Sequence, residues 1–235
     1  MDRNALHHTI AIGSTAWIYL NLGLIIGIFV TLFFSKTEKS QKIITPILAG
    51  ILIFNFAFNQ FHALYSGIWQ KEVHLPLHLC SFSTILSVIV LLNKKQWAYE
   101  FLIFWSAGAI HSFLTPEITD GASLYNHWEY GIAHAGVIIT GIYATYRLNF
   151  TPRKHSWLKV MGYTQLTLPI IGIINYLLDS NYMFIAQKPD AQNPFIIGDW
   201  PWYIIGLEFA VLLHFAAFYW IHMRIAKIRD NGLKE

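Results

Sequence analysis

The chain has 235 residues, 55% of them hydrophobic, 16% aromatic and only 12% charged, with a formal net charge of +3 and a mean hydropathy of +0.43. Soluble domains average about 25% charged residues, so this balance excludes an ordinary water-soluble globule and points to an all-α polytopic membrane bundle. The single cysteine, Cys80, excludes an intramolecular disulfide and a CxxC metal knuckle; there is no basic stripe for a nucleic-acid partner, no HExxH, and no cofactor is called for.

Taken in chain order, the first apolar run, residues 16–34, is too long for the h-region of a signal peptide and is followed by no A-x-A site, so it reads as an uncleaved span. A bilayer core asks for about 20 mainly apolar residues per helix. Seven segments meet or nearly meet that: 12–34, 43–65, 76–92, 96–114, 128–147, 157–178 and 201–225. Residues 1–235 are therefore expected to form one seven-helix membrane domain. Pro76 and Pro201 are expected as first-turn residues of spans three and seven, where a missing N–H costs nothing. Between spans four and five, Asn126 is expected to cap span five, with Glu129 at the reciprocal capping-box position.

Lysine and arginine set the orientation. One side carries Lys36, Lys39, Lys42, Lys94, Lys95, Arg147, Arg153, Lys154, Lys159, Arg224, Lys227, Arg229 and Lys234; the other carries only Arg3, Lys71 and Lys188. The split alternates through all seven spans, which places the N-terminus outside and the C-terminus in the cytoplasm. His7, His8, His62, His74, His78, His111, His127 and His134 gather at or near the outer side, where His7 and His8 are expected to be solvated. Two long segments, 115–127 and 179–200, also lie there. Long loops are commonly functional lids, and the aromatic content of the second predicts an ordered cap. Trp200, Trp202 and Tyr203 are expected in an interfacial belt.

Ionisable groups at membrane depth default to function. Cys80 lies near the start of span three, with His78 two residues earlier and hence turned away on the helix. Any imidazole partner for the thiol must come from another span, and His134 is the first candidate, within the small-residue patch Ala133-His134-Ala135-Gly136 that permits close helix approach. A thiol beside an imidazole suits nucleophilic acyl transfer, because the thiolate attacks and the imidazole carries the proton. Glu208 within span seven, Glu129 and Asp179 are candidate orienters of the histidine; Asn59, Gln60 and Asn175 are candidate donors to a developing oxyanion. His214, deeper in span seven, reads as an interhelical hydrogen-bonder. The competing readings are a packing role for Cys80 and a zinc site built from His78, His127, His134 and a carboxylate.

Four sequence stretches carry a family resemblance: Leu75-Pro76-Leu77-His78-Leu79-Cys80; Leu114-Thr115-Pro116-Glu117; Ala133-His134-Ala135-Gly136; and Asn175-Tyr176 followed by Asn181-Tyr182-Met183-Phe184, Lys188-Pro189 and Gly198 to Tyr203. In order and spacing they resemble the YwaF-like bacterial integral membrane family, which is similar to the eukaryotic transmembrane-protein-164 acyltransferases. The resemblance implies a multi-pass protein of the bacterial plasma membrane and acyl transfer on phospholipid, with Cys80 as acyl carrier and His134 as base. It departs at one point: the eukaryotic cysteine is expected just before the motif histidine, where Leu77 stands here, whereas this thiol follows His78 by two residues.

The reading that follows is a lipid acyltransferase or acyl hydrolase of the outer leaflet. Cys80, His134, His78, Glu208 and Asp179 are its candidate catalytic residues, and Asn59, Gln60, His111, Asn175, Asn181, Tyr182 and Lys188 its candidate substrate contacts, with Lys188 near a phosphate. Membrane phospholipid is the expected partner. The alternatives are a seven-helix receptor or carrier with an outward polar cavity, and a histidine-based metal-dependent hydrolase.

Overall fold

The computed structural model describes residues 6–191 and 193–232; Arg3 and Lys234, counted above for orientation, lie outside them. Among the described residues there are seven α-helices: α1 (Thr15–Phe34), α2 (Glu38–Tyr65), α3 (Leu79–Asn93), α4 (Gln96–Leu114), α5 (Leu124–Tyr146), α6 (Ser156–Leu178) and α7 (Trp202–Gly232). Each matches one expected segment. A two-residue strand near the N-terminus, β1 (His8–Thr9), pairs antiparallel with β2 (Glu117–Ile118) in the α4–α5 connection.

The helix starts follow local chemistry. Ser14 caps α1 by accepting from the Trp17 N–H, and Thr37 with Ser40 forms a reciprocal capping box on α2. Two expected starts are corrected. α5 begins at Leu124 because Ser123, not Asn126, is its N-cap; the Asn126 amide instead donates to the Asp120 and Gly121 carbonyls and folds the preceding turn. Glu129 therefore takes no capping role and accepts from Asn55 on α2 at 3.2 Å. α3 begins only at Leu79, with His78 as N-cap, so Pro76 precedes the helix rather than opening it.

The helices divide by burial. α4 is buried on nearly every side, and α3 and α5 pack directly on it and on each other. α1 and α2 cover α5 and α3 on one flank; α6 and α7 cover α4 on the other. Those four outer helices are the ones long and apolar enough to cross a membrane among the described residues, and they turn outward large side chains such as Ile25, Phe54, Ile173 and Phe209. The inner three can carry more polar groups because neighbouring helices satisfy them: Tyr99 bonds Thr145, Trp105 donates to Thr164, and Tyr143 bonds Thr45.

The basic helix ends meet at one end of the bundle. Arg147 donates to the Leu32 carbonyl, Arg153 engages Glu100 at both carboxylate oxygens, and Arg229 reaches Thr151. At the opposite end, residues 179–191 and 193–200 form the expected cap. Buried Asn175 holds the Tyr182 backbone with both ends of its amide and also accepts from Ser180. Asn181 accepts from the Ala186 and Gln187 N–H groups. The Tyr182 hydroxyl donates to the Lys71 carbonyl and accepts from the Leu75 N–H; burial pushes its pKa up to about 12, so it stays a protonated donor. Tyr203 is fully buried and donates to the Phe184 carbonyl, so it leaves the expected interfacial belt to Trp200 and Trp202, both largely exposed.

α2 and α5 approach closely where Gly136 faces Leu52: a side chain at position 136 would run into the Leu52 isobutyl group. This bears out the close approach read from the small-residue patch. Gly136→Leu is expected to destabilise the fold by about 1–3 kcal/mol through overpacking, seen as a lowered Tm in detergent-solubilised protein.

Candidate functional site

Cys80 is the second residue of α3, so its thiol sits at a helix N-terminus. The N–H groups of Leu79, Cys80 and Ser81 belong to the first turn and have no partner among the described residues; the first intrahelical bond from this turn is Phe82 N–H to the His78 carbonyl. The N-cap supplies no side-chain acceptor for them, because His78 Nδ1 accepts instead from the Met183 N–H of the cap at 3.3 Å.

Cys80 shares the lining of one small cavity with His134 from α5 and Ser112 from α4, and the two are its electrostatic and polar neighbours. His134 Nδ1 lies 2.8 Å from the Tyr130 carbonyl one turn earlier. A carbonyl only accepts, so Nδ1 carries the proton and the Nε2 lone pair is left for the thiol. Tyr130 braces the group further: its ring lies 4.1 Å from the His134 ring, and its hydroxyl donates to the Ser112 carbonyl at 2.9 Å. The position that a carboxylate orienter would take is thus held by a backbone carbonyl.

Cys80 stands on the partition between two cavities. The larger, about 310 Å³, lies between α4, α6, α7 and the cap, with walls that are mostly apolar, including Phe104, Trp105, Leu168, Val211 and Phe215. The smaller, about 170 Å³, lies between α2, α3 and α5 and is lined by His134, Asn55, Asn59, Gln60, Asp120 and Glu129. His78, Cys80, Ser112, Glu117, Tyr130 and Phe184 border both. An apolar chamber and a smaller, more polar one thus share a wall that includes Cys80.

The expected site residues separate by this geometry. Cys80 and His134 come together, and His78 lies beside them with Glu117 and His7 as electrostatic neighbours. Asn59 and Gln60 line the polar chamber, where the Asn59 amide oxygen accepts from Tyr125 and Gln60 bridges Trp69 and the His74 carbonyl. His111 lines the apolar cavity, its Nε2 3.2 Å from His214 Nε2, the interhelical pairing expected of His214.

Several expected roles are corrected. Glu208 lines the apolar cavity and accepts from Gln165 of α6, with no contact to His134. Asp179 closes α6 as its left-handed C-cap and borders neither cavity. Asn175, Asn181 and Tyr182 use their polar atoms in folding and docking the cap. Lys188 donates to Asp199 at 2.7 Å across the cap and holds that carboxyl below the usual range. His7, expected in solvent, is buried against Glu117 at 2.6 Å because β1–β2 pairing draws the N-terminal segment over the site.

The zinc ligand set expected from His78, His127 and His134 does not gather: His127 bonds the Ser123 carbonyl and packs on His8. The one group of three potential ligands whose atoms lie within 4.8 Å of one another, among the described residues, is His7, Glu117 and Asp190. Ser112, Tyr130 and Glu117 escaped the sequence reading as parts of the site. The Leu114-Thr115-Pro116-Glu117 stretch, one of the four that carry the family resemblance, was the available signal for Glu117.

The TMEM164 family model matches residues 8–219, and the chain belongs to that family of membrane proteins. No curated protein and no solved structure matches it.

The Cys80–His134 contact is expected to govern thiol reactivity. Alkylation of Cys80 by a small uncharged maleimide at pH 7 should slow on the order of tenfold in His134→Ala, read by mass spectrometry of the intact protein. An unchanged rate would separate the imidazole from the thiol chemically.

Proposed function

We propose that this member of the TMEM164 family is a membrane lipid acyltransferase or acyl hydrolase, with Cys80 as nucleophile and His134 as its general base and acid. One observation carries the reading: Cys80 lines a polar chamber together with His134 and also borders an apolar chamber on its other side. An acyl ester has that same division, a hydrocarbon chain on one side of its carbonyl and a polar alcohol on the other.

The chemistry runs in two halves. In the first, His134 Nε2 takes the Cys80 proton and the thiolate attacks the ester carbonyl carbon. The developing oxyanion falls near the first-turn N–H groups of Leu79, Cys80 and Ser81, which already point out of the helix end. The C–O bond breaks, the departing alkoxide takes the proton from His134, and the acyl chain remains on sulfur as a thioester. In the second half, an acceptor hydroxyl, from a lipid or from water, gives its proton to His134 and attacks the thioester. The Cys80 thiolate leaves and is reprotonated by the same imidazole. Ser112 steadies the sulfur, Tyr130 fixes the His134 tautomer, and His78 shapes the wall both chambers share.

The proposal includes the membrane setting: seven spans, the N-terminus and cap outside, the C-terminus cytoplasmic, in a bacterial plasma membrane. The meeting of basic residues at the end opposite the cap supports this orientation. A second reading, a metal-dependent hydrolase, is favoured by the His7–Glu117–Asp190 group alone; a stoichiometric metal in the purified protein, with activity lost on chelation, would select it.

The test is incubation of purified protein with a phospholipid radiolabelled in its acyl chain. A hydroxylamine-sensitive label on Cys80 and a labelled product lipid or fatty acid are expected. Cys80→Ala should abolish both, and His134→Ala should reduce turnover by about 10²-fold or more. Full turnover in both variants would remove the dyad.

A further inference from the structure

A third hollow lies on the outside of the bundle, between α2 and α5, with a volume of about 500 Å³. Its walls are the outward apolar side chains Ile47, Ile51, Phe54, Phe58, Trp128 and Ile132. Phe54 and Trp128 are each about two-thirds exposed, at 67% and 66%. α2 is among the helices long and apolar enough to cross a membrane, so this groove opens where lipid would lie.

The floor of the groove is polar. Asn55 and Glu129 sit there, half-buried, joined by the Asn55 Nδ2–H to Glu129 Oε1 bond at 3.2 Å. The same two residues line the polar chamber that holds His134 and one face of Cys80. This hydrogen-bonded pair is therefore common to the wall of the membrane-facing groove and that of the reaction chamber. The larger apolar cavity lies across the partition, against α4, α6 and α7.

We propose that the α2–α5 groove is the port by which an acyl acceptor, a lysophospholipid, reaches the thioester from the bilayer, with the Asn55–Glu129 pair as its gate. The occupant is specified by the lining. Apolar walls on a membrane-facing surface suit a single acyl chain, and a polar floor continuous with the reaction chamber suits the glycerol hydroxyl and headgroup that follow it. Within the proposed two-step reaction, the first acyl chain rests in the large apolar cavity while the second lipid arrives on the other side of the sulfur. The two substrates need not exchange through one opening. The acceptor hydroxyl comes in on the His134 side, where the base that must take its proton stands. The inference rests on the acyl-transfer reading and adds to it the route by which the acceptor arrives.

Gly50 offers a clean way to close the groove. It lines the hollow, and a Cβ built there meets nothing within 4 Å, so Gly50→Phe adds bulk to the groove from a position whose first carbon is unobstructed. Replacing a helical glycine also favours the helix. Gly162→Phe, exposed on α6 and equally open, is the matched control outside the hollows described here. Gly50→Phe is expected to form the Cys80 thioester at the wild-type rate and to transfer it to added lysophospholipid on the order of tenfold more slowly. Gly162→Phe should behave as wild type in both halves.

A binding measurement stands apart from turnover. In the Cys80→Ala background, a lysophospholipid with a photoreactive diazirine in its chain is expected to label peptides of α2 and α5, with labelling lost on adding Gly50→Phe and kept on adding Gly162→Phe. Labelling that Gly50→Phe leaves intact, or found only on α4, α6 and α7, overturns the port. A wild-type protein that never carries acyl label on Cys80 sinks the acyl-transfer reading instead, and the crosslinking still decides whether a lysophospholipid occupies this groove.

Discussion

An ionisable side chain in hydrocarbon must be paired, neutral or walled off, and this constraint orders the whole molecule. Four apolar helices surround three that carry the polar groups. The inner helices need not satisfy lipid, so they can hold His111, His134, Glu100 and a ladder of hydroxyl contacts that would be costly on an outer face. The wall also permits cavities, since hollows between protein helices do not have to fill with lipid tails. At the basic end, Glu100 is buried but engaged by the Arg153 side chain and backbone together. At the capped end the polar groups are left around open space instead.

That open space is divided, and the division is made by the start of one short helix. α3 is too short to reach as far as its neighbours, so its first turn falls at the level where the cap, the α4 exit and the α5 entrance converge. A helix beginning there presents three N–H groups and a thiol to the same point. The neighbouring helices then supply what α3 lacks, a proton acceptor from α5 and a hydroxyl from α4. The cap closes the arrangement through backbone bonds, with the Met183 N–H on His78 and the Ala191 N–H on Glu117, so it is registered to the site on both flanks.

Much of this was legible in the sequence because it is local or periodic. The seven helices follow from apolar run lengths, and the close approach at Gly136 follows from a run of small residues. The Cys80–His134 pairing followed from excluding His78 by helical angle and asking which other span offers an imidazole at the same depth. What stayed hidden is long-range or degenerate. His7 meets Glu117 across 110 residues, and nothing near His7 announces a strand. Ser123 and Asn126 are equally good caps on paper; the longer helix wins because the Asn126 amide finds carbonyls in the turn before it. Asn175, Asn181 and Tyr182 look like ligand-binding residues because the chemistry that grips a substrate also grips a loop backbone. Only the folded chain shows which one uses it.

The contact between Gly136 and Leu52 has a mechanical consequence. The two helices are seated directly on each other there, with no side chain at 136 to act as a spacer. The Asn55–Glu129 bond lies about two turns along α5 from that seat, toward the capped end. An opening of the proposed Asn55–Glu129 gate pivots on this seat, so it faces the capped end and not the basic one.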